Sequence, residues 1–242
     1  MGHRIFLAGA SGAIGQRLIP QLLAAGHHVT GTTRNADKAV TLRALGVEAA
    51  VVDVFDAEAL SRAMLAARPD IVIHQLTDLP PGLDPSRMGE AILRNAHVRD
   101  EGTRNLVAAA TTSGVRRMVA QSIAWAYAPG PEPHSEADPL DSAASGNRGI
   151  SVGGVIALEA AVLHAPFAGI VLRYGQLYGP GTGADAPAGA SPLHVDAAAY
   201  AALLALDKAV PGIFNVAEPN QAVSTQKAVE ELGWRADFRL PA

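Results

Sequence analysis

Short apolar segments alternate with segments of helical spacing along most of this chain. The apolar segments have the length of buried strands, and in most of the segments between them apolar residues recur every three or four positions. The predicted strands are Arg4–Ala8, His28–Thr33, Val47–Val54, Asp70–Leu76, Arg117–Ser122, Gly169–Tyr174 and Ile213–Val216. The predicted helices are 14–23, Ala36–Leu45, Ala57–Ala67, Met88–Ser113, Ser151–His164 and Thr225–Leu232. This alternation predicts a parallel sheet with right-handed crossovers and helices on both faces.

The second half of the chain is less regular. Pro129–Ser145 is rich in proline, serine and acidic residues, which predicts a loop across the mouth of the binding crevice. Tyr178–Pro192 is rich in glycine and proline. We therefore expect a doubly wound α/β domain over residues 1–174, completed by the late strand at 213–216, and a small C-terminal substrate-side lobe over residues 175–242.

A glycine-rich turn links the first predicted strand to the first predicted helix. Gly9 allows a sharp turn, Gly12 lets the backbone approach a pyrophosphate, and Gly15 lets helix and strand pack closely. The pyrophosphate would lie at the helix N-terminus, where free N–H groups and the helix dipole favour an anion. The alternative is a tight strand–helix turn without a ligand. This Rossmann-type turn predicts a dinucleotide held by Gly9, Ser11, Gly12, Ala13, Ile14 and Gly15.

The end of the second predicted strand indicates which dinucleotide binds. An acidic residue there would select NAD through the ribose 2′-hydroxyl, whereas an arginine accommodates the 2′-phosphate of NADP. Arg34 follows this strand and no acid precedes Asp37, so we expect NADP, with NAD possible if Arg34 is only a solvated cation. Asp53 is a candidate acceptor for the adenine amino group, or else a helix N-cap or surface acid. The other expected cofactor contacts are Val54, Leu76, Thr77 and Tyr174.

Composition excludes several classes of protein. With 49% hydrophobic and 17% charged residues the chain is globular, and a net charge of −4 gives no electrostatic footprint for nucleic acid. No apolar stretch reaches the length of a membrane span, and we expect a soluble cytoplasmic protein. The chain has no cysteine, and its histidines lack metal-ligand spacing, so no metal site is predicted. The charges of Arg99-Asp100-Glu101 are interpreted as a solvated helix face.

Several motifs together carry a resemblance to a known family. They are the glycine turn, Asp53-Val54, residues 71–74, 101–107, 172–181 and 194–196, Asn215-Val216, and residues 231–234. In this order they resemble the extended short-chain dehydrogenase/reductases, the NAD(P)-dependent epimerase/dehydratase group. The resemblance implies a Rossmann fold, a nicotinamide cofactor, and an oxidoreductase, epimerase or dehydratase for a small carbonyl or sugar-like substrate.

The chain departs from this family at the residues that supply its chemistry. The family uses a Tyr-x-x-x-Lys pair, in which tyrosine exchanges a proton with the substrate oxygen while lysine lowers the tyrosine pKa and holds the cofactor ribose. An alignment on Glu159 places Ser151 and Val155 at these two positions, and neither can do that work. Ser122 and Tyr127 remain as candidate catalytic hydrogen-bond donors, with a backbone-bonded strand end and a packed loop aromatic as their respective alternatives.

Two functional hypotheses and one assembly follow from these observations. The first hypothesis is an NADP-dependent enzyme with a reduced proton-transfer apparatus, favoured by the retained substrate-side segments. The second is a non-catalytic NADP(H)-binding sensor, favoured by the missing acid. The helix Ser151–His164 is apolar on more than one side, and the resemblance implies a homodimer through helices 95–113 and 151–164.

Overall fold

A computed structural model describes residues 2–241, apart from the side chains of residues 81 and 85. Its strands are β1 (Arg4–Ala8), β2 (His28–Thr33), β3 (Glu48–Val51), β4 (Ile71–His74), β5 (Arg117–Ile123), β6 (Ala168–Tyr174), β7 (Gln176–Tyr178), β8 (Pro192–His194) and β9 (Gly212–Val216). Its α-helices are α1 (Ala13–Ala24), α2 (Ala36–Ala44), α3 (Ala57–Ala67), α4 (Met88–His97), α5 (Thr103–Thr112), α6 (Gly146–Leu163) and α7 (Val195–Ala205). Within residues 2–241 no helix has the length and apolar character that crossing a bilayer requires.

Seven strands form one parallel sheet in the order β3-β2-β1-β4-β5-β6-β9. The chain builds outward from β1 to β3, returns to β4 beside β1, and then continues to the opposite edge. The predicted doubly wound Rossmann-type fold is therefore confirmed. The order reverses between β1 and β4, and in such sheets the crevice for ligands opens at that point.

Two hydrophobic layers cover the two faces of the sheet. Successive side chains of β1 point to opposite faces, so that Leu7 joins the layer beneath α1 and α7 while Phe6 joins the layer beneath α3, α5 and α6. Both residues are fully buried. The burial of the central strands on both faces explains why these strands are nearly continuous apolar runs in the sequence.

The structure differs from the expected helices at several places. The helix α6 begins at Gly146 rather than Ser151, and the last predicted helix contains a π-helical turn at Ala228–Leu232. The long helix predicted over 88–113 is two helices, α4 and α5, joined by a π-helical turn at Val98–Gly102. The helix α7 was not predicted, because its alanine-rich sequence is apolar on all sides and carries no amphipathic period. It packs on α1 within the main core, so this part of residues 175–242 is interleaved with the main domain.

The face expected to form a homodimer keeps apolar side chains at the surface. The helices α4 and α6 pack against each other. Within the predicted helices, Ile156 on α6 is 37% exposed, and Leu93, which lies on α4 just before the predicted range 95–113, is 58% exposed. Pairing of this face with a second copy of the chain stays a prediction.

The close packing of α1 on β1 can be tested with one added methyl group. A Cβ on Gly15 would collide with the carbonyl oxygens of Gly9 and Ala10, both of which are backbone atoms that cannot rotate away. We expect Gly15→Ala to lower the free energy of unfolding by about 1–3 kcal/mol in urea titrations.

Gly89 provides the matched control, since it also lies in a helix but a Cβ there meets nothing within 4 Å. Gly89→Ala is expected to be neutral or to stabilise by about 0.5–1 kcal/mol. Equal effects of the two substitutions would contradict a steric requirement at position 15.

Candidate functional site

A cavity of about 740 Å³ opens at the carboxyl ends of the central strands. Its volume lies within the range typical of sites for small molecules and cofactors. The predicted cofactor residues that line it are Gly9, Ser11, Gly12, Ala13, Ile14, Arg34, Val54, Leu76, Thr77 and Tyr174. The predicted site residues that do not line it are Gly15, Asp53, Ser122 and Tyr127. The crevice expected from the strand order therefore exists, and most of the predicted cofactor residues meet there.

The glycine turn presents the start of α1 to the cavity. Gly9 has a φ of +88°, a conformation that favours glycine, and its α-carbon faces the backbone of Gln75 on the neighbouring strand end. Gly12 precedes α1 and provides no side-chain cap, so the first N–H groups of the helix are left for another acceptor. A helix start of this kind fits a pyrophosphate.

Polar side chains surround the cavity where β2 ends. Thr33, Arg34 and Lys38 all line it. Asn35 caps α2, its side-chain oxygen accepting from the N–H groups of Asp37 and Lys38 at 2.7 and 3.1 Å. The cation of Lys38 was not predicted, although its position in the first turn of α2 could have indicated it. Two cations at one end of the cavity make that end suitable for a phosphate.

The loop after β3 forms an apolar slot beside these polar groups. Val52, Val54 and Phe55 line it, and the ring of Phe55 stacks on His97 with centroids 4.5 Å apart. Asp53 points elsewhere, since its carboxylate accepts the N–H of Phe55 at 3.0 Å within the same turn. The structure thus assigns Asp53 to its own turn rather than to the cavity wall, while the neighbouring apolar residues fit the faces of a purine ring.

The end of the cavity between β4, β5 and α6 carries few groups that exchange protons. Ser151 lines it, and Val155, one turn further along α6, is fully buried. The ring of Tyr174 also lines it, but its hydroxyl donates to the carbonyl of Ala198 at 3.0 Å, and burial raises the pKa of that hydroxyl well above its ordinary value. The phenol of Tyr174 is therefore a buried structural donor.

Ser122 and Tyr127 lie outside the cavity, which corrects their expected placement as catalytic donors. Side chains alternate along a strand, so Gln121 and Ile123 line the cavity while Ser122 points to the other face and is fully buried. The Ser122 hydroxyl donates to Glu159 at 2.7 Å, and the Tyr127 hydroxyl donates to Asn215 at 2.6 Å. Neither hydroxyl faces the space in which a substrate would bind.

Both hydroxyls belong to a buried polar network that joins β5, β6, β9 and α6. Its centre is a bidentate pair in which Arg173 donates to the two carboxylate oxygens of Glu159 at 2.9 and 2.7 Å. Arg173 also donates to the Tyr127 hydroxyl at 2.8 Å. A buried ion pair is tolerated when further hydrogen bonds satisfy both partners, as they do here. The network fixes the relative position of three strand ends next to the cavity.

His74, at the end of β4, lies beneath the cavity as a neutral side chain. Burial lowers the pKa of His74 to about 4. Its Nδ1 accepts the N–H of Leu76 at 3.2 Å, so the proton lies on Nε2, which donates to the Thr103 hydroxyl 2.9 Å away. His74 therefore holds the loop after β4 and supplies no charge. Within residues 2–241 no group of three or more His, Asp or Glu side chains is arranged to hold a metal ion.

Two residues that the sequence analysis missed are buried and line the cavity. Arg99 is only 7% exposed, which corrects the interpretation of its segment as a solvated helix face. The amide of Gln75 lies beside the Tyr174 hydroxyl, yet neither of its polar atoms has a hydrogen-bond partner within residues 2–241. The helical spacing of Met88, Ile92, Asn95 and Arg99 could have indicated that Arg99 shares the inward face of α4.

Comparison with known proteins agrees with this geometry. The model of a family described as NAD(P)H-binding matches residues 9–145, which is more than half of the chain. The chain belongs to this NAD(P)H-binding family. One relative, 3-diazoavenalumate denitrifying reductase from Streptomyces sp, is 39% identical over 244 residues, covering 92% of this chain and 78% of the relative. Cinnamoyl-CoA reductase 1 from Oryza sativa subsp. japonica is 33% identical over 122 residues, covering 48% of this chain and 32% of that protein.

Several solved structures share the fold of this chain at low sequence identity. The Bordetella bronchiseptica enzyme WbmG in complex with NAD has a TM-score of 0.76 and 21% identity, covering 99% of this chain and 91% of WbmG. UDP-glucose 4-epimerase from Thermotoga maritima has a TM-score of 0.77 and 18% identity, covering 97% of this chain and 94% of the epimerase. These likenesses establish the Rossmann fold. Together with the family match and the reductase relative, they confirm the resemblance to NAD(P)-dependent short-chain dehydrogenase/reductases.

The buried network predicts how this NAD(P)H-binding protein responds to loss of its hydroxyls. Tyr127→Phe leaves Asn215 and Arg173 each short of a partner, so we expect it to lower the free energy of unfolding by about 1–2 kcal/mol. Because the hydroxyl lies outside the cavity, the dissociation constant for NADPH, followed by nicotinamide fluorescence, is expected to stay within about twofold of its original value.

Tyr200→Phe serves as the control, because the Tyr200 ring stacks on Phe238 and its hydroxyl has no partner in the described part of the chain. Tyr200→Phe should change neither the free energy of unfolding nor the dissociation constant for NADPH. If the folded Tyr127→Phe variant bound NADPH more than tenfold more weakly, the Tyr127 hydroxyl would have to contribute to cofactor binding, and its placement outside the site would be wrong.

Proposed function

We propose that this protein is an NADP(H)-dependent reductase that acts on an acceptor needing no proton from the protein. One observation carries the proposal: the cavity wall between β4, β5 and α6 offers the neutral groups Gln121, Ile123 and Ser151 and no activated acid. A serine hydroxyl is too weak an acid to protonate a developing alkoxide efficiently. Such a wall suits hydride acceptors whose reduced product forms without protonation.

The described residues fit NADP along the whole cavity. The N-terminus of α1 would hold the pyrophosphate, and Val54 and Phe55 would enclose the adenine. Arg34 and Lys38 would pair with the 2′-phosphate. Arg34 lies 3.7 Å from the Asp78 carboxylate, a loose contact between partly exposed groups that costs little to exchange for a phosphate. The choice of NADP over NAD rests on these two cations.

A relative supports one class of acceptor. The name of the 39% identical Streptomyces protein describes reduction of a diazo-bearing carboxylate with loss of nitrogen. When bound, reduced nicotinamide would supply a hydride. An arenediazonium cation that accepts this hydride forms an arene and releases dinitrogen, so no oxygen atom has to be protonated. This chemistry removes the need for the tyrosine and lysine whose positions are occupied by Ser151 and Val155. We therefore infer an arenediazonium-type substrate.

The chain's own residues would position the substrate and keep water away. Trp125, Ile92 and Met88 line the outer part of the cavity and provide an apolar, partly aromatic surface for a planar ring. Gln121 and Ser151 provide neutral hydrogen-bonding groups on the cavity wall. Catalysis would then consist of orientation and exclusion of water, in which two reacting centres are held at close distance.

The cofactor preference is tested by titrating the protein with NADPH and NADH, followed by nicotinamide fluorescence. We expect NADPH to bind at least about tenfold more tightly than NADH, and Arg34→Ala to remove most of that difference by deleting a charge-assisted contact. Arg62→Ala is the control, since Arg62 is an exposed residue of α3 paired with Glu58. Equal binding of the two cofactors by the unmodified protein would favour NAD.

The reaction is tested by supplying NADPH with 4-carboxybenzenediazonium or with 4-carboxybenzaldehyde, each against a protein-free blank. We expect NADPH oxidation with release of one dinitrogen per hydride for the diazonium, and none for the aldehyde. Ser151→Ala should keep the diazonium rate within about threefold, since no general acid is needed. Turnover of the aldehyde would indicate a carbonyl reductase, and tight NADPH binding without turnover of either compound would favour the sensor hypothesis.

A further inference from the structure

Arg99 is a buried cation on the wall of the cavity. It lies in the π-helical turn between α4 and α5, is 7% exposed, and lines the cavity. Its guanidinium makes no ion pair or hydrogen bond with the part of the chain that the structure describes. Burial lowers the pKa of Arg99 to about 10, so the guanidinium remains charged at neutral pH. An uncompensated buried charge is costly, and cavities that retain one bind a counter-charge there.

Among the described residues, no carboxylate contacts the guanidinium of Arg99 directly. The carboxylate that influences it most is that of Glu159. Both oxygens of Glu159 already accept from Arg173, and one also accepts from Ser122. Glu159 is therefore engaged by Arg173 and Ser122 and makes no direct contact with Arg99, so a ligand is the natural source of a direct partner.

The charged groups of NADP are accommodated elsewhere in the cavity. The 2′-phosphate is assigned to Arg34 and Lys38 after β2, and the pyrophosphate to the N-terminus of α1. Arg99 instead belongs to the layer of α4 and α6 on the other face of the sheet, where α4 packs on α6. The nicotinamide end of the cofactor carries no negative charge. The substrate is therefore the ligand best suited to supply the negative charge that pairs with the guanidinium of Arg99.

We propose that Arg99 binds a carboxylate of the substrate and thereby selects aromatic acids over their neutral analogues. The proposal rests on the proposed function in that it names the substrate class of the same cavity. Met88, Ile92 and Asn95 line the cavity at positions that share one face of α4, and burial increases along this face from Met88 towards Arg99. A planar aromatic body would lie along the apolar part of this face with its carboxylate at the deep end.

A binding measurement tests this proposal without requiring turnover. The NADPH-loaded protein is titrated with cinnamate and with cinnamamide, which have the same shape and differ in charge, and quenching of nicotinamide fluorescence is followed. We expect cinnamate to bind at least about tenfold more tightly than cinnamamide, as for a charge-assisted pair. Arg99→Met should bring the ratio of the cinnamamide and cinnamate dissociation constants to about one, and Arg99→Lys should retain part of the preference. Arg104→Met should leave the preference unchanged, since Arg104 is an exposed residue paired with Asp100.

Two further readouts separate the possible outcomes. Arg99→Met should leave the NADPH dissociation constant within about twofold and should raise the melting temperature of the ligand-free protein, because it removes an uncompensated buried charge. A loss of NADPH affinity with an unchanged cinnamate ratio would assign Arg99 to the cofactor and overturn the proposal. Equal binding of the two ligands by the unmodified protein, or binding of neither, would also overturn it. A selective response to cinnamate without diazonium reduction would uphold Arg99 as the carboxylate site and refute only the proposed reaction.

Discussion

The close backbone contact between β1, α1 and β4 is the constraint on which the site depends. Gly9 faces the Gln75 backbone on one side, and Gly15 faces the carbonyl groups of Gly9 and Ala10 on the other. No side chain fits between these segments, so α1 starts directly above the sheet at the point where the strand order reverses. The same contact brings the unpartnered amide of Gln75 into the cavity wall. The positions of the α1 N-terminus and of the cavity wall at Gln75 both follow from this backbone contact.

A second constraint separates the polar groups that maintain the fold from those that face a ligand. The network around Glu159 and Arg173 is closed, since each charged group has several partners within the chain. Arg99 is also buried, but it lines the cavity and its guanidinium has no partner within the described part of the chain. Satisfied buried groups rigidify a structure, whereas unsatisfied ones mark sites where stability is given up for binding. This contrast assigns Tyr127 and Ser122 to the scaffold and Arg99 to the site.

The pattern of apolar residues predicted the fold because each strand and helix has to bury a face. The strand β2 and the helix α3 begin and end where the pattern placed them, and the glycine turn lines the cavity as expected. The pattern could not assign α7, which lacks a polar face. It also misplaced Ser122, because one position along a strand decides which face a side chain joins, and a strand's end does not fix that phase. Arg99 was missed because three consecutive charges resemble a solvated surface.

The missing proton donor and the buried cation are consistent with one another in physical terms. A wall of neutral groups such as Gln121 and Ser151 protonates a developing alkoxide inefficiently, but it does not hinder a hydride acceptor that loses a neutral leaving group. Such a site still has to orient its substrate, and a fixed guanidinium in a region of low dielectric does so more strongly than an exposed one. In this protein the substrate would be oriented by a charge at one end and by apolar contact along α4. In enzymes that keep the Tyr-x-x-x-Lys pair, a hydrogen bond to the substrate oxygen provides that orientation. The loss of Tyr-x-x-x-Lys is on this view a change of substrate chemistry within an intact cofactor fold.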